Sequence, residues 1–292
     1  MSYILHILIM SGIYSILSIG LNITAGYTGV LSLAHASFFG IGAYTSSILM
    51  KDFGMPFLIA LVSGGCLASV SSVAVGLPTL RLREDYFLIA TLGFCEIIHS
   101  LFLNLESVTN GPRGIMGIPY PSIAGYKIDT GAEYLLLTLV VLSAAVFCSY
   151  RISKTQFGRV LKAIREDETL ALSLGKNPVR YKTYSLMIGA FLAGLGGSLY
   201  AHFMNFIDPS SFTLNESIFI FCMIVLGGLG SITGSILGAL VLVSLPELLR
   251  FVGLPDPVAA TLRQVIYGVL LVVFMIFRPQ GLLGGVRLRW RG

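Results

Sequence analysis

The sequence predicts an all-α protein, a polytopic transmembrane helical bundle of about 8–9 membrane segments forming one domain over 1–292. Three observations carry that prediction. Hydrophobic residues make up 55% of the 292 and charged residues only 11%, with a mean hydropathy of +0.86. Soluble domains carry about 25% charged residues, so a chain this apolar requires lipid as its solvent. The apolar residues fall into runs near 3–24, 30–50, 55–77, 84–104, 133–150, 183–204, 215–229, 232–250 and 261–278. A helix needs roughly 20 apolar residues to cross the hydrocarbon core. The third observation is that the basic residues are bunched and not spread.

The first run begins within MSYILHILIM and has no basic region ahead of it. It reads as a retained span and not as a cleaved signal peptide. Asn22 and Thr24 close it beside a turn marked by Gly26 and Gly29. The second run carries His35 between Ser32 and Ser37, placed either to donate a packing hydrogen bond or to line a polar path. The run 84–104 holds Glu96 near its centre and His99 three residues on. At that spacing both face one side of a helix. A central membrane charge costs about 2.5–3.5 kcal/mol on insertion scales, so the two either pair or line a path. Asn22, Thr24, His35, Glu96 and His99 are therefore the pathway candidates.

The outer segment 105–132 contains TNGPRGIMGIPYPSIAG. Its Gly and Pro density predicts ordered turns. Ile115, Met116 and Ile118 among them suit either a docking loop or a cap over helix ends. The segment 151–182 is different. Gln156 to Asn177, QFGRVLKAIREDETLALSLGKN, reads as an amphipathic helix between two membrane spans. Phe157, Val160, Leu161 and Ile164 share an i, i+3, i+4, i+7 face suited to a protein groove or to the inner leaflet. Gly175 stops the helix and Pro178 follows.

Further on, Ala190, Gly194 and Ser198 form a small-residue stripe, with Ala193 and Gly197 beside it. Small residues let helix backbones approach in lipid. The runs 215–229 and 232–250 are short and divided only by glycines, so they predict a broken or re-entrant pair. Gly230, Gly234 and Gly238 recur at four-residue spacing for packing or gating. Glu216 opens that pair, where the outer interface is expected, and Glu247 is spaced at i, i+3 to pair with Arg250. AGYTGVLSLAHASFFGIGAY and LGGLGSITGSILGAL are distantly alike, each a G-x-x-G turn before a glycine-containing helix. Matching interruptions in two halves point to a transport pathway.

Orientation follows from the basic residues. Residues 151–182 hold Arg151, Lys154, Arg159, Lys162, Arg165, Lys176, Arg180 and Lys182. The C-terminal tail and the turn at Arg81 and Arg83 add more. Nine crossings put these on one side, which predicts an outer N-terminus, a cytoplasmic C-terminus and a cytoplasmic 151–182.

Several functions are excluded by motif. Cys66, Cys95, Cys148 and Cys222 sit singly in apolar runs and predict neither a disulfide framework nor a zinc site. GGLGSITG lacks the Lys-Ser or Lys-Thr of a phosphate-binding loop. No nucleophile–base constellation appears, so the chain is not expected to be an enzyme or to hold a metal or cofactor. No basic stripe is interleaved with exposed aromatics, so nucleic acid is not expected either.

Five blocks together carry a resemblance: GLNITAGYTGVLSLAHASFFGIGAYT, RLREDYFLIATLGFCEII, TNGPRGIMGIP, GRVLKAIREDETLALSLG, and VLGGLGSITGSILGALVLVSLPELLR with FRPQGLLG. Over about Gly20 to Gly284 the chain resembles the LivM-type permeases of bacterial branched-chain amino acid ABC importers. Related urea and amide permeases share much of the pattern. The resemblance implies an inner-membrane importer with a LivH-like second permease in a heterodimer. It also implies two cytoplasmic ATPases, which hold ATP and magnesium, and a periplasmic binding protein. It makes 105–132 periplasmic. It makes 156–177 a coupling helix, with Phe157, Arg159, Lys162, Arg165, Glu166, Asp167, Glu168 and Gly175 meeting the ATPase. The EAA-x-x-x-G pattern of such helices is only partly kept, since Thr169, Leu170 and Ala171 stand before Gly175. An ion-coupled secondary transporter is the competing class; it needs intramembrane carboxylates, of which Glu96 alone lies near a span centre.

Overall fold

The computed structural model describes residues 3–80, 84–123, 125–250, and 265, 268, 269, 272 and 281–283. The expected helices of 261–278, the basic tail and the Arg81–Arg83 turn lie wholly or largely outside these residues, as do the side chains of Glu247 and Arg250.

Helix α1 spans Tyr3–Leu21 and continues as one wider turn, Asn22–Gly26. Then come α2 (His35–Lys51), α3 (Phe57–Thr79), α4 (Glu84–Asn104) and the single turn α5 (Glu106–Thr109). Helix α6 covers Gly131–Lys154, and two short helices follow, α7 (Gln156–Glu166) and α8 (Glu168–Ser173). Helix α9 runs Pro178–Met204, α10 Leu214–Gly227 and α11 Ile232–Arg250. Local chemistry sets several ends. Asn177 caps α9 through the Arg180 N–H with Pro178 at the first position, and Asn205 closes it in the left-handed conformation. Thr130 caps α6 through the Glu133 N–H.

Five helices are long and apolar enough to cross a membrane among the described residues: Tyr3–Gly26, Phe57–Thr79, Asp85–Asn104, Gly131–Lys154 and Pro178–Met204. That is fewer than the 8–9 segments expected. The run 30–50 shows why. It is not one continuous helix: the chain turns at Gly29, with φ +75°, and stays non-helical to Ala34. Helix α2 is then only 17 residues long and buried over most of its surface. A helix enclosed by protein does not need a lipid-grade exterior. Helices α10 and α11 are also short in their apolar parts.

Helix α9 is the central post, packed against α1, α2 and α3. Its small-residue stripe is buried as expected. A methyl group on Gly42 would overlap the Gly194 carbonyl, so α2 and α9 touch backbone to backbone. Helices α10 and α11 form an antiparallel pair around Gly228 and Gly230, both at positive φ. A methyl on Gly227 or Gly234 would collide with the other's carbonyl, and one on Gly238 with that of Met223. The predicted glycine repeat is thus the contact seam of this hairpin.

At one end of the bundle, β1 (Ile115–Met116) pairs antiparallel with β4 (Phe206–Ile207), and β2 (Ser122–Ile123) with β3 (Tyr126–Lys127). Ile115 and Ile118 are buried and Met116 is exposed. Lys51 donates to the Met116 carbonyl at 2.8 Å, and His202 bonds the Pro119 carbonyl at 2.9 Å. The described part of 105–132 therefore caps helix ends, and of Ile115, Met116 and Ile118 only Met116 is exposed.

Overpacking a tight contact typically costs 1–3 kcal/mol. Gly234→Leu, which drives a side chain into the Gly227 backbone, should lower the melting temperature of the detergent-purified protein and its amount in membranes. Leu237→Ala, on the exposed side of the same helix, should change neither. Wild-type melting of Gly234→Leu would show that α10 and α11 do not meet along this seam.

Candidate functional site

The end of the bundle opposite the strands brings together two chain breaks far apart in sequence. One is the turn from Asn22 to Ala34; the other is the turn between α10 and α11. Asn22 joins them. It is almost fully buried, and its Nδ2 donates to the Ser231 carbonyl at 2.9 Å and to Ser235 Oγ at 2.8 Å. Its Oδ1 accepts from the Gly230 N–H at 2.8 Å. Gly26 lies close beneath: a methyl there would sit 2.6 Å from the Gly230 nitrogen. The two G-x-x-G turns noted in the sequence are therefore neighbours in space. Gly281–Leu283 reaches the same place, since the Leu282 and Leu283 N–H groups donate to the Leu226 and Gly227 carbonyls.

The backbone exposed by the first break is satisfied by side chains, as buried polar groups require. The Leu33 N–H donates to Thr91 Oγ1 at 3.1 Å, and the Ala36 N–H to Ser217 Oγ at 2.9 Å. Among the pathway candidates, Thr24 donates to the Leu21 carbonyl at 2.8 Å, and His35 meets the Leu17 carbonyl at 3.0 Å through Nε2. Asn22, Thr24 and His35 thus hold the break together. Tyr14 Oη donates to Glu216 Oε1. Tyr14 lies midway along the span Tyr3–Gly26, so Glu216 is drawn into the bundle and does not sit at the outer interface. Glu96 and His99 are not brought together: no hydrogen bond or ion pair joins them, and Glu96 is exposed on the flank of α4.

Helices α7 and α8 lie against this end. Arg165 donates from Nη1 to the Gly26 carbonyl, and burial pulls its guanidinium below the usual arginine value. Gly29 lies beside it; a methyl there would be 3.2 Å from Arg165 Cγ. The Lys162 ammonium stands 5.4 Å from the centre of the Tyr27 ring, a cation–π contact. Phe157 stacks on Tyr181 at 5.7 Å. Asp167 caps α8 through the Thr169 and Leu170 N–H groups, and Gly175, at φ +75°, ends it. Glu168 pairs with Lys182 at 2.7 Å. Arg159 and Glu166 are exposed.

The apolar face of α7 is used within the chain: Leu161 and Ile164 are buried. Half of the stripe expected to meet a groove or the inner leaflet is therefore covered by the chain's own bundle, with Phe157 and Val160 partly buried. The free apolar surface is one helix later. Leu170, Leu172 and Leu174 are 60%, 59% and 69% exposed. Lys182 was not among the expected site residues, yet it is 7% exposed and pins α8 to α9.

Among the described residues no group of three or more His, Cys, Asp or Glu converges to hold a metal. The arrangement is one of mechanical attachment: an exposed platform whose basic residues grip the end of α1, and through Asn22 the start of α11.

Leaving buried donors and acceptors unpaired costs about 1–3 kcal/mol. Asn22→Leu should therefore lower the melting temperature of the purified protein by several degrees. Asn22→Asp, which keeps the acceptor for the Gly230 N–H, should fall between. Equal melting of all three would contradict the clasp.

Comparison with known proteins bears on what such a platform serves. Residues 3–275 match the family described as "Branched-chain amino acid transport system / permease component". The chain is 37% identical to the high-affinity branched-chain amino acid transport system permease protein LivM of Salmonella typhimurium, over 94% of this chain and 68% of that protein. It is 37% identical to LivM of Escherichia coli K12, over 93% of this chain and 68% of that one. It is 27% identical to the permease protein LivH of Escherichia coli K12, over 93% and 91% of the two chains. No solved structure matches. A membrane-length helical bundle, a charged platform at one end and a match over nearly its whole length agree: this chain belongs to the family of permease components of branched-chain amino acid transport systems.

Proposed function

We propose that the chain is one of two permease subunits of an ATP-binding cassette importer that moves leucine, isoleucine and valine across the bacterial inner membrane. The observation that carries this reading is the whole-length family match. The α7–α8 platform supports it: it is charged, exposed, and too small to hydrolyse ATP itself. The hydrolysis then belongs to two cytoplasmic ATPases, and delivery of substrate to a periplasmic binding protein. LivM and LivH relatives of this chain occur together in the same organism, which supports a heterodimer with a LivH-like permease.

On this reading α2, α10, α11 and the segment near 261–278 join the five long helices, giving about nine segments with an outer N-terminus and a cytoplasmic C-terminus. The platform end of the bundle is then cytoplasmic, and the cap formed by 105–132 is periplasmic. Closure of the ATPases moves the platform. Arg165 passes that movement to Gly26, and Asn22 passes it from the end of α1 to the start of α11. The substrate is a zwitterion with an aliphatic side chain. Glu96 and His99 stay pathway candidates, with no hydrogen bond or ion pair to either among the described residues, whereas Asn22, Thr24 and His35 act by holding the broken helix that borders the path.

Reconstitution with a LivH-like permease, two ATPases and the binding protein should give ATP-driven leucine accumulation, competed by isoleucine and valine and not by urea. Competition by urea would assign the chain to a urea permease. Accumulation by this chain alone, driven by a sodium or proton gradient, would overturn the importer reading.

Two sets of variants probe the platform. Leu170→Ser, Leu172→Ser and Leu174→Ser together should reduce ATPase co-purification at least tenfold with the bundle still inserted. Arg159→Glu with Arg165→Glu should uncouple ATP hydrolysis from uptake. Unchanged association and unchanged uptake in both would remove the platform from the coupling role.

A further inference from the structure

We propose that the outward face of α4 is the seat of the second permease subunit, whose facing helix presents a hydrogen-bond donor or a cation to Glu96. The inference rests on the two-permease reading above and specifies where the second subunit sits.

Helix α4 has two unlike faces. The inner one carries Phe87, Thr91, Cys95 and Phe102, all buried; Thr91 accepts from the Leu33 N–H and Phe102 stacks on Tyr44. The outer one carries Gly93, Glu96 and Ser100 at i, i+3 and i+7, one stripe of the helix. Ile89 and Ile97 flank it, 62% and 59% exposed.

Lipid is a poor neighbour for this stripe. Glu96 is exposed, no hydrogen bond or ion pair among the described residues engages its carboxylate, and it lies in the interior of a membrane-length helix. The other acidic and basic residues of the five long helices are Asp85, Glu133, Arg151, Lys154, Arg180 and Lys182, and each lies within about a turn of a span end. Charges there reach the interface; a central one requires a partner. Gly93 adds a shape argument. A methyl on it would meet nothing within 4 Å, so no packing among the described residues explains a glycine in mid-helix, whereas an approaching helix backbone would.

The flank of α6 reads oppositely. Leu136, Leu139, Val140 and Phe147 are exposed there, and Ser143 turns its hydroxyl back to the Leu139 carbonyl at 2.7 Å. That is a lipid-facing surface. The occupant of the α4 face is a related permease and not a second copy of this chain. Two copies of Glu96 facing across a two-fold contact would repel, and the family supplies two kinds of permease in one organism.

The test uses the co-expressed complex. A photo-reactive benzophenone side chain is placed at Ile97 or Leu101 on α4, and at Leu139 or Val140 on α6. The expected result is a crosslinked band of the combined mass of the two permeases from the α4 positions and none from α6. A band of twice this chain's mass, crosslinks from α6 alone, or only lipid adducts at 97 and 101 would overturn the proposal. In parallel, Glu96→Lys should cut co-purification of the second permease at least tenfold and Glu96→Gln by less. Wild-type co-purification of Glu96→Lys would overturn it. ATP-driven leucine uptake is measured on the wild-type complex. Crosslinking from α4 without uptake would reject the substrate and leave the contact standing. Uptake without crosslinking would reject the contact alone.

Discussion

One buried carboxamide holds the architecture at its most fragile point. A membrane bundle must satisfy every backbone N–H and carbonyl internally, and regular helices do so without help. Among the described residues this chain interrupts that pattern after Gly26 and after Gly227, and it sets the two interruptions against each other. Asn22 then supplies two donors and one acceptor to Ser231, Ser235 and Gly230. An amide suits the task because it offers both kinds of group from one planar head. A hydroxyl would lack the reach, and a carboxylate would lack the donors.

The surrounding packing turns this local bond into a rigid junction. Helices α2 and α9, and α10 and α11, meet backbone to backbone at glycines, so they move together or not at all. Such close-packed contacts transmit a displacement instead of absorbing it. Arg165 ties α7 to the Gly26 carbonyl, and the Glu168–Lys182 pair ties α8 to α9. Lys182 is buried and Glu168 about half exposed, so the pair fixes position more than it adds stability. On the proposed reading, this makes the cytoplasmic platform a lever attached to the ends of α1 and α9.

Much of the bundle is legible in the sequence, because the hydrophobic runs and glycine spacing are properties of single segments. The five long helices and the packing role of Gly234 and Gly238 come from that signal. What is not legible depends on contacts between segments. Hydropathy does not see that 30–34 leaves the helix, since Val30 and Leu33 are as apolar as a span requires; the break is set by Gly29 and by acceptors on Thr91 and Ser217. Asn22 reads as a polar residue at depth, but its partners lie more than 200 positions away. The face of α7 is correctly amphipathic, yet periodicity does not say whether the apolar side meets the chain's own bundle or a partner. Glu216 looked interfacial because it opens a short run, and its place is set by Tyr14 on another helix. The signal that would have found Lys182 is weak: a lysine just before an apolar run, fourteen residues after an acid.

The claim that the two breaks form one unit is tested most directly by hydrogen exchange of the purified protein, followed by mass spectrometry. In the Asn22→Leu variant, amides of 19–36 and of 224–236 should lose protection together, by similar factors, while those in the middle of α9 keep theirs. Loss confined to one of the two segments, or none in either, would show that the turns are held separately and that Asn22 does not join them.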